Sequence, residues 1–333
     1  MKRLPAGFID VPVLKLEDVR VFFRKKRFLE KVSVIKAVDG VSLVVARGEV
    51  VALVGESGSG KTTLGRAAIG LTRPTSGEVI LVEGETMTNV GNAKGRAWKR
   101  LRKQLQIIFQ DPFSSVDPNM KVYDALRIPL QAQGVKDRKE ISERIHDVFK
   151  RVGLPEQQLT SYVFQLSGGQ RQRVGIARVL LFNPALVVAD EPVSMLDASL
   201  KGDILNIIEK ESKERGTAFL FITHEMSVAR VIAARIAVMY LGNVVEIASA
   251  DAVIDRPLHP YTKALLEASP TIDPSLKDVT KKIGAKDELT LSTEHPSGCK
   301  FHPRCPYVMS VCKDTVPQLK EVEPGHFVSC WLY

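Results

Sequence analysis

The stretch VVALVGESGSGKTTLGRAAIGL, residues 50–71, decides the fold. Val50 to Val54 is a short, wholly apolar run, as in a strand covered on both faces. A glycine-rich loop follows it, and a helix is expected from Lys61. Gly55-Glu56-Ser57-Gly58-Ser59-Gly60-Lys61-Thr62 fits the pattern GxxxxGK[ST]. In such a loop, glycines let backbone N–H groups turn inward around a β-phosphate. The helix adds its positive end, Lys61 reaches the β and γ oxygens, and the Thr62 hydroxyl, followed by Thr63, can ligate Mg²⁺. Strand, loop and helix in that order make chance a poor explanation, so a nucleotide phosphate is the expected ligand.

Working outward, residues 12–24 alternate as a strand does, and a basic patch (24–27) follows them. Residues 93–110 form a basic helical stretch ending in apolar LQIIFQ. The run Lys94 to Lys103 reads as a solvated face or a contact for anionic headgroups, not as a nucleic-acid site. Residues 138–152 place Ile141, Ile145, Val148, Phe149 and Val152 on one helical face. LVVAD (186–190) and TAFLFITH (217–224) are apolar strands, with a helix from Ala198 to Arg215 between them. Alternating strands and helices imply an α/β core.

Two further motifs sharpen the reading. Asp190-Glu191 ends an apolar strand; Asp190 can hold the Mg²⁺ hydration shell and Glu191 can polarise an attacking water. Leu166-Ser167-Gly168-Gly169-Gln170 opens a helix with Ser167 as N-cap, a second helix start offering donors to an anion. A strand-end acid pair is usually just solvated and SGG is usually just a turn. Beside a phosphate loop, both become site residues.

With these motifs in this order, the chain resembles the ATP-binding-cassette (ABC) family. Gln110 in IIFQDP resembles the Q-loop glutamine, Ser194 to Asp197 the D-loop, and His224 in FITHE the switch histidine. Val193 and Glu225 depart from the common Thr and Asp without touching the chemistry. The resemblance implies a P-loop ATPase with a mixed β core, an antiparallel β part and a helical subdomain at about 111–180. It implies catalytic Glu191, His224 and Gln110, and Mg²⁺ on Thr62, Gln110 and Asp190. ATP would lie on residues 55–63 of one subunit and on Ser167, Gly168, Gly169 and Gln170 of another. Phe22, Phe23 or Phe28 would stack on adenine.

The tail, HPYTKALLEASP (259–270) and HPSGCKFHPRCP onward, resembles the C-terminal region of dipeptide/oligopeptide transporter ATPases. All four cysteines lie there: Cys299, Cys305, Cys312 and Cys330, spaced C-x5-C-x6-C-x17-C. Four thiolates can hold Zn²⁺ or a [4Fe–4S] cluster, or stay unligated. Zinc favours tighter pairs, and the loose spacing with Pro306 after Cys305 favours the cluster. His295, His302 and His326 read as bystanders.

The 333 residues suggest two domains. Prolines and a Lys/Asp-rich linker (277–288) place the boundary near 256, giving an ATPase domain at 12–255 and a small, loop-rich, cysteine-containing domain at 256–333. With 44% apolar and 26% charged residues the composition is globular. The longest apolar run, Ile236 to Val245, falls well short of the ~18 residues a membrane span needs. A net charge of +9 favours polyanionic partners and decides nothing alone. The reading is a peripheral ATPase subunit of a peptide-type importer on the cytoplasmic face. It would pair with a paralogous ATPase, two permease subunits and, through the complex, an extracellular substrate-binding protein. The alternative is a non-transport ABC ATPase acting on DNA or ribosomes, which would carry long insertions or a second cassette. The interval from Thr62 to Leu166 is only about a hundred residues and lacks heptads.

Overall fold

The computed structural model describes residues 11–25, 33–111, 116–268 and 296–333. Contacts divide the chain into two units: residues 1–46, 50–91 and 221–333 form one, and 47–49 with 92–220 the other.

The first unit opens with β1 (Pro12–Lys25) and β2 (Ser33–Ala46), then β3 (Val50–Val54), α1 (Lys61–Ala68), β4 (Ser76–Glu83) and β5 (Thr86–Asn89). The order β2-β1-β4-β5 makes an antiparallel sheet, with Val21 opposite Val38 and Leu14 opposite Leu81. Leu14 and Leu16, then Val19 and Val21, are buried, the phase of the alternation changing at the register shift between Leu16 and Val19.

The second unit holds α2 (Gly95–Gln104), β6 (Leu105–Ile108), α3 (Val122–Ala132), α4 (Arg138–Arg151), α5 (Gly168–Leu180), β7 (Leu186–Asp190) and α6 (Ala198–Arg215). Strand β8 (Ala218–Thr223) carries the chain back to the first unit. β6 and β7 are parallel, and every residue of β7 is buried, as its unbroken apolar run requires. α4 buries Ile141, Ile145, Val148 and Phe149, the expected face. The basic helix α2 buries only Leu101 and leaves Arg96, Lys99 and Arg100 in solvent. Arg151 Nε donates to Glu211 Oε1 at 2.9 Å, so the buried Glu211 is paired.

Back in the first unit come α7 (Met226–Ile232), β9 (Arg235–Tyr240), β10 (Asn243–Ser249), α8 (Ala250–Asp255) and α9 (Pro260–Ala268). The tail adds α10 (Ser310–Asp314), β11 (Lys320–Glu323) and β12 (His326–Val328). β3 is parallel to β9, while β9, β10, β12 and β11 follow antiparallel, so the sheet is mixed as expected. Ile236, Val238, Val245, Tyr261 and Phe301 share one core with Val54. Tail and phosphate strand are therefore built on common packing. Among the described residues no helix is long and apolar enough to cross a membrane.

Candidate active site

The loop between β3 and α1 is shaped by close backbone approach. A Cβ on Gly55 would stand 2.2 Å from Met239 O, and one on Gly60 would stand 2.1 Å from Ala37 O. Gly60 also has φ 100°, in the left-handed region that favours glycine. It is the N-cap of α1, no side chain caps that helix, and no acid sits in its first turn. Lys61 is buried and curls back into the loop. Its Nζ donates to Gly55 O at 2.7 Å, Glu56 O at 2.8 Å and Ser59 Oγ at 3.4 Å. Thr62 and Thr63 follow in the first turn, half-buried.

At the start of α5 Ser167 is the N-cap, as its sequence position requires. Ser167 Oγ accepts from Gln170 N at 3.3 Å, and Ser167 N donates to Gln170 Oε1 at 2.9 Å, a reciprocal capping box. Gly168 faces open space, whereas Gly169 is close against Leu200. The same helix reaches the acidic strand end, where Gln172 Nε2 donates to Pro192 O at 2.8 Å. There Asp190 is 7% exposed and Gln110 Nε2 donates to Glu191 Oε2 at 3.1 Å. Gln110 and the strand-end Glu191, 81 residues apart, are brought together. Glu191 has φ 48°, uncommon for a residue with a side chain and a kind of strain that collects at functional sites. Ser194 of the D-loop holds the turn by donating from N and Oγ to Glu191 O at 3.3 and 3.1 Å. His224 is exposed just past β8. Of the adenine candidates, Phe22 lies under Lys36 Nζ at 5.7 Å and Phe23 is exposed; Phe28 lies outside the described residues.

The four cysteines are free thiols lining one cavity together with His259 and Trp331. Burial, with neighbouring thiols adding to it, pushes Cys299, Cys305 and Cys330 up from the usual thiol range. Burial also holds His259 at about 4, and its ring accepts from Tyr261 N at 3.0 Å as a neutral imidazole can. Among the described residues no three His, Cys, Asp or Glu side chains are grouped to hold a metal ion. His302 Nδ1 is 3.0 Å from Cys299 O, and His326 Nε2 is 2.7 Å from the buried Glu246. His295 and the 277–288 linker lie outside the described residues.

Residues 38–194 match the family model for the ABC transporter, and residues 245–312 match the oligopeptide/dipeptide transporter C-terminal region. An oligopeptide transport ATP-binding protein of Bacillus subtilis (strain 168), AppF, is 42% identical over 96% of this chain and 97% of its own length. This chain belongs to the ABC transporter family. It is an ATP-binding cassette ATPase of the family's oligopeptide/dipeptide branch. Two solved ABC proteins share the fold. The dimeric bacterial ABC transporter cassette MJ0796 has a TM-score of 0.62 and 29% identity, covering 71% of this chain and 98% of its own. The cbiO1 protein of Clostridium perfringens, part of the ABC transporter complex cbiONQ, has a TM-score of 0.63 and 26% identity, covering 74% and 92%.

Two features of this cassette escaped the sequence. The left-handed backbone at Glu191 has no local marker, because glutamate, unlike asparagine or aspartate, has no preference for that region. The tail also reaches the phosphate loop. Arg304 Nη1 and Nη2 donate to Glu56 Oε2 and Oε1, both at 3.0 Å, and Glu56 N donates to Tyr261 Oη at 2.9 Å. Partners 205 and 248 residues apart leave no pattern in one chain read alone.

Proposed function

We propose that this ATPase powers a dipeptide/oligopeptide importer from the cytoplasmic face of the membrane, residues 12–255 forming the motor and 256–333 the tail region. The observation that carries the reading is the coincidence, in one chain, of a full set of hydrolysis motifs with an oligopeptide-type C-terminal region. The name of the Bacillus relative, an oligopeptide transport protein, supports the cargo class and does not favour a DNA- or ribosome-directed role.

Residues 55–63 bind the ATP phosphates, Lys61 exchanging its loop carbonyls for β and γ oxygens. Thr62, Gln110 and Asp190 offer the hard oxygen donors that Mg²⁺ prefers. Held there, Mg²⁺ would supply the positive charge that offsets the phosphates. Glu191, oriented by the Gln110 amide, accepts the proton of the water that attacks the γ-phosphorus. The bond from the γ-phosphorus to the bridging oxygen breaks, leaving ADP and phosphate. His224 serves as the switch residue for the γ-phosphate. Ser167, Gly168, Gly169 and Gln170 cap the ATP bound by a second cassette, a reading supported by the dimeric form of the MJ0796 cassette. That second cassette is a paralogue, and both dock on two permease subunits served by an extracellular substrate-binding protein.

The four thiols surround one cavity without grouping as a single ion needs. The preference for a [4Fe–4S] cluster over Zn²⁺ therefore rests on the loose C-x5-C-x6-C-x17-C spacing alone. Anaerobically purified protein should absorb near ~400 nm and carry about four irons per chain; absence of both signals removes the cluster.

The test of the motor is Glu191→Gln. MgATP binding should persist while hydrolysis falls by about 10²–10⁴-fold, and peptide uptake by the complex assembled with its permeases should stop. Near-normal hydrolysis by this variant would overturn the assigned base, and unchanged peptide uptake would overturn the importer reading.

A further inference from the structure

All three polar groups of Glu56, the second residue of the phosphate loop, are engaged. Its carboxylate is gripped by the Arg304 fork with both oxygens at 3.0 Å, its N–H donates to Tyr261 Oη at 2.9 Å, and its carbonyl accepts from Lys61 Nζ at 2.8 Å. Two of these three partners belong to the C-terminal region. Arg304 is itself fixed, its guanidinium 5.9 Å over the Tyr240 ring and 5.7 Å over Phe301. Tyr261 is fully buried in the same aromatic group, 4.6 Å from Tyr240 and 5.5 Å from Phe301. A second tail cation reaches the loop's other flank. Lys300 Nζ donates to Leu241 O at 2.7 Å and Asp39 Oδ2 at 3.1 Å, and the adjoining Gly242 N donates to Ser59 O at 2.9 Å. Both tail cations lie within the short segment that Cys299 and Cys305 bracket.

We infer that Arg304 is a positioning residue for nucleotide binding: it neutralises Glu56 and, with Tyr261, fixes the loop that must receive a triphosphate. A carboxylate at this position would repel phosphate oxygens if left bare. A bidentate guanidinium removes that charge and sets the geometry at once. Because Glu56 O also holds Lys61, the posture of Glu56 governs how readily Lys61 is handed to the nucleotide. The inference rests on the reading of residues 55–62 as the ATP phosphate site.

The test uses the full-length chain and a fluorescent ATP analogue with Mg²⁺, wild type in parallel, with thermal midpoints for every variant. Arg304→Ala should raise Kd about tenfold, and Arg304→Lys, which keeps charge but loses the fork, about threefold. The decisive variant is Arg304→Ala combined with Glu56→Gln. Removing the orphaned carboxylate should return Kd to that of Glu56→Gln alone, which a purely structural role for Arg304 would not do. Wild-type Kd in both Arg304 variants, or additive losses in the double variant, would overturn the inference. Should Arg304→Ala fail to fold, Arg304→Lys with and without Glu56→Gln decides by the same comparison. Wild type that fails to bind the analogue would instead overturn the phosphate-site reading itself.

Discussion

Two glycine-rich helix starts of this cassette are satisfied in opposite ways. α1 begins at a left-handed glycine with no side-chain cap, and a buried lysine is folded into the loop before it. α5 begins at a serine that closes a capping box with its own glutamine and stands exposed. Both lack an acid in the first turn, so both leave the positive end of the helix for an anion from outside. α1 keeps its charge inside the molecule, ready to cradle a phosphate. α5 closes its own cap with the exposed Ser167, which suits the proposed docking of a second cassette's ligand. The same dipole thus opens two helices whose proposed roles differ, phosphate binding at α1 and docking at α5, and side-chain capping distinguishes them.

Variants can break that comparison. The largest effect is expected for Lys61→Ala. Truncating one partner of a buried charge contact typically costs about 2–5 kcal/mol, so ATP binding should weaken roughly 30- to 5,000-fold in a direct titration. Ordinary affinity in this variant would mean that α1 is not the cradle. Gly60→Ala comes next. It adds a Cβ against Ala37 O at a left-handed φ, and should cost roughly 2–3 kcal/mol in denaturant unfolding. Ser167→Ala removes a cap worth about 1 kcal/mol; it should lower the thermal midpoint and slow turnover while a single cassette's ATP affinity stays unchanged. An equal loss of affinity would erase the distinction between the two helix starts. The smallest stability change belongs to Gly168→Ala, whose Cβ meets nothing and which gains helix propensity of at most about 1 kcal/mol. Its midpoint should hold or rise while turnover still falls if, as proposed, the added methyl lies where a second cassette's phosphate approaches.

The legible parts were those whose physics is local. The apolar run before Gly55, the glycines that admit backbone at van der Waals distance, the serine cap at 167 and the acids ending β7 all announce themselves within a few residues. So does the helix over 198–215, whose observed bounds are Ala198–Arg215. The resemblance assigned Gln110 and Glu191 to one site, but their hydrogen bond came only from the structure, since nothing near either residue specifies the other. The tail is the opposite case. Its cysteines were conspicuous, yet the residues with structural reach are Arg304 and Tyr261, which read as ordinary polar and aromatic positions. Nor did the sequence show that β12 would pair with β10 and carry the tail onto the sheet, because a three-residue strand has too little alternation to read.

By itself, the order of residues determined that this chain is an α/β ATP-binding cassette, because loop, cap and strand-end motifs are written in contiguous segments. Only the tertiary structure decided that Glu191 adopts a left-handed backbone, that four distant thiols face one cavity, and that Arg304 and Tyr261 hold Glu56. Those facts depend on packing between segments up to some 250 residues apart, where the chain's entropy hides any preference until a common core fixes both partners.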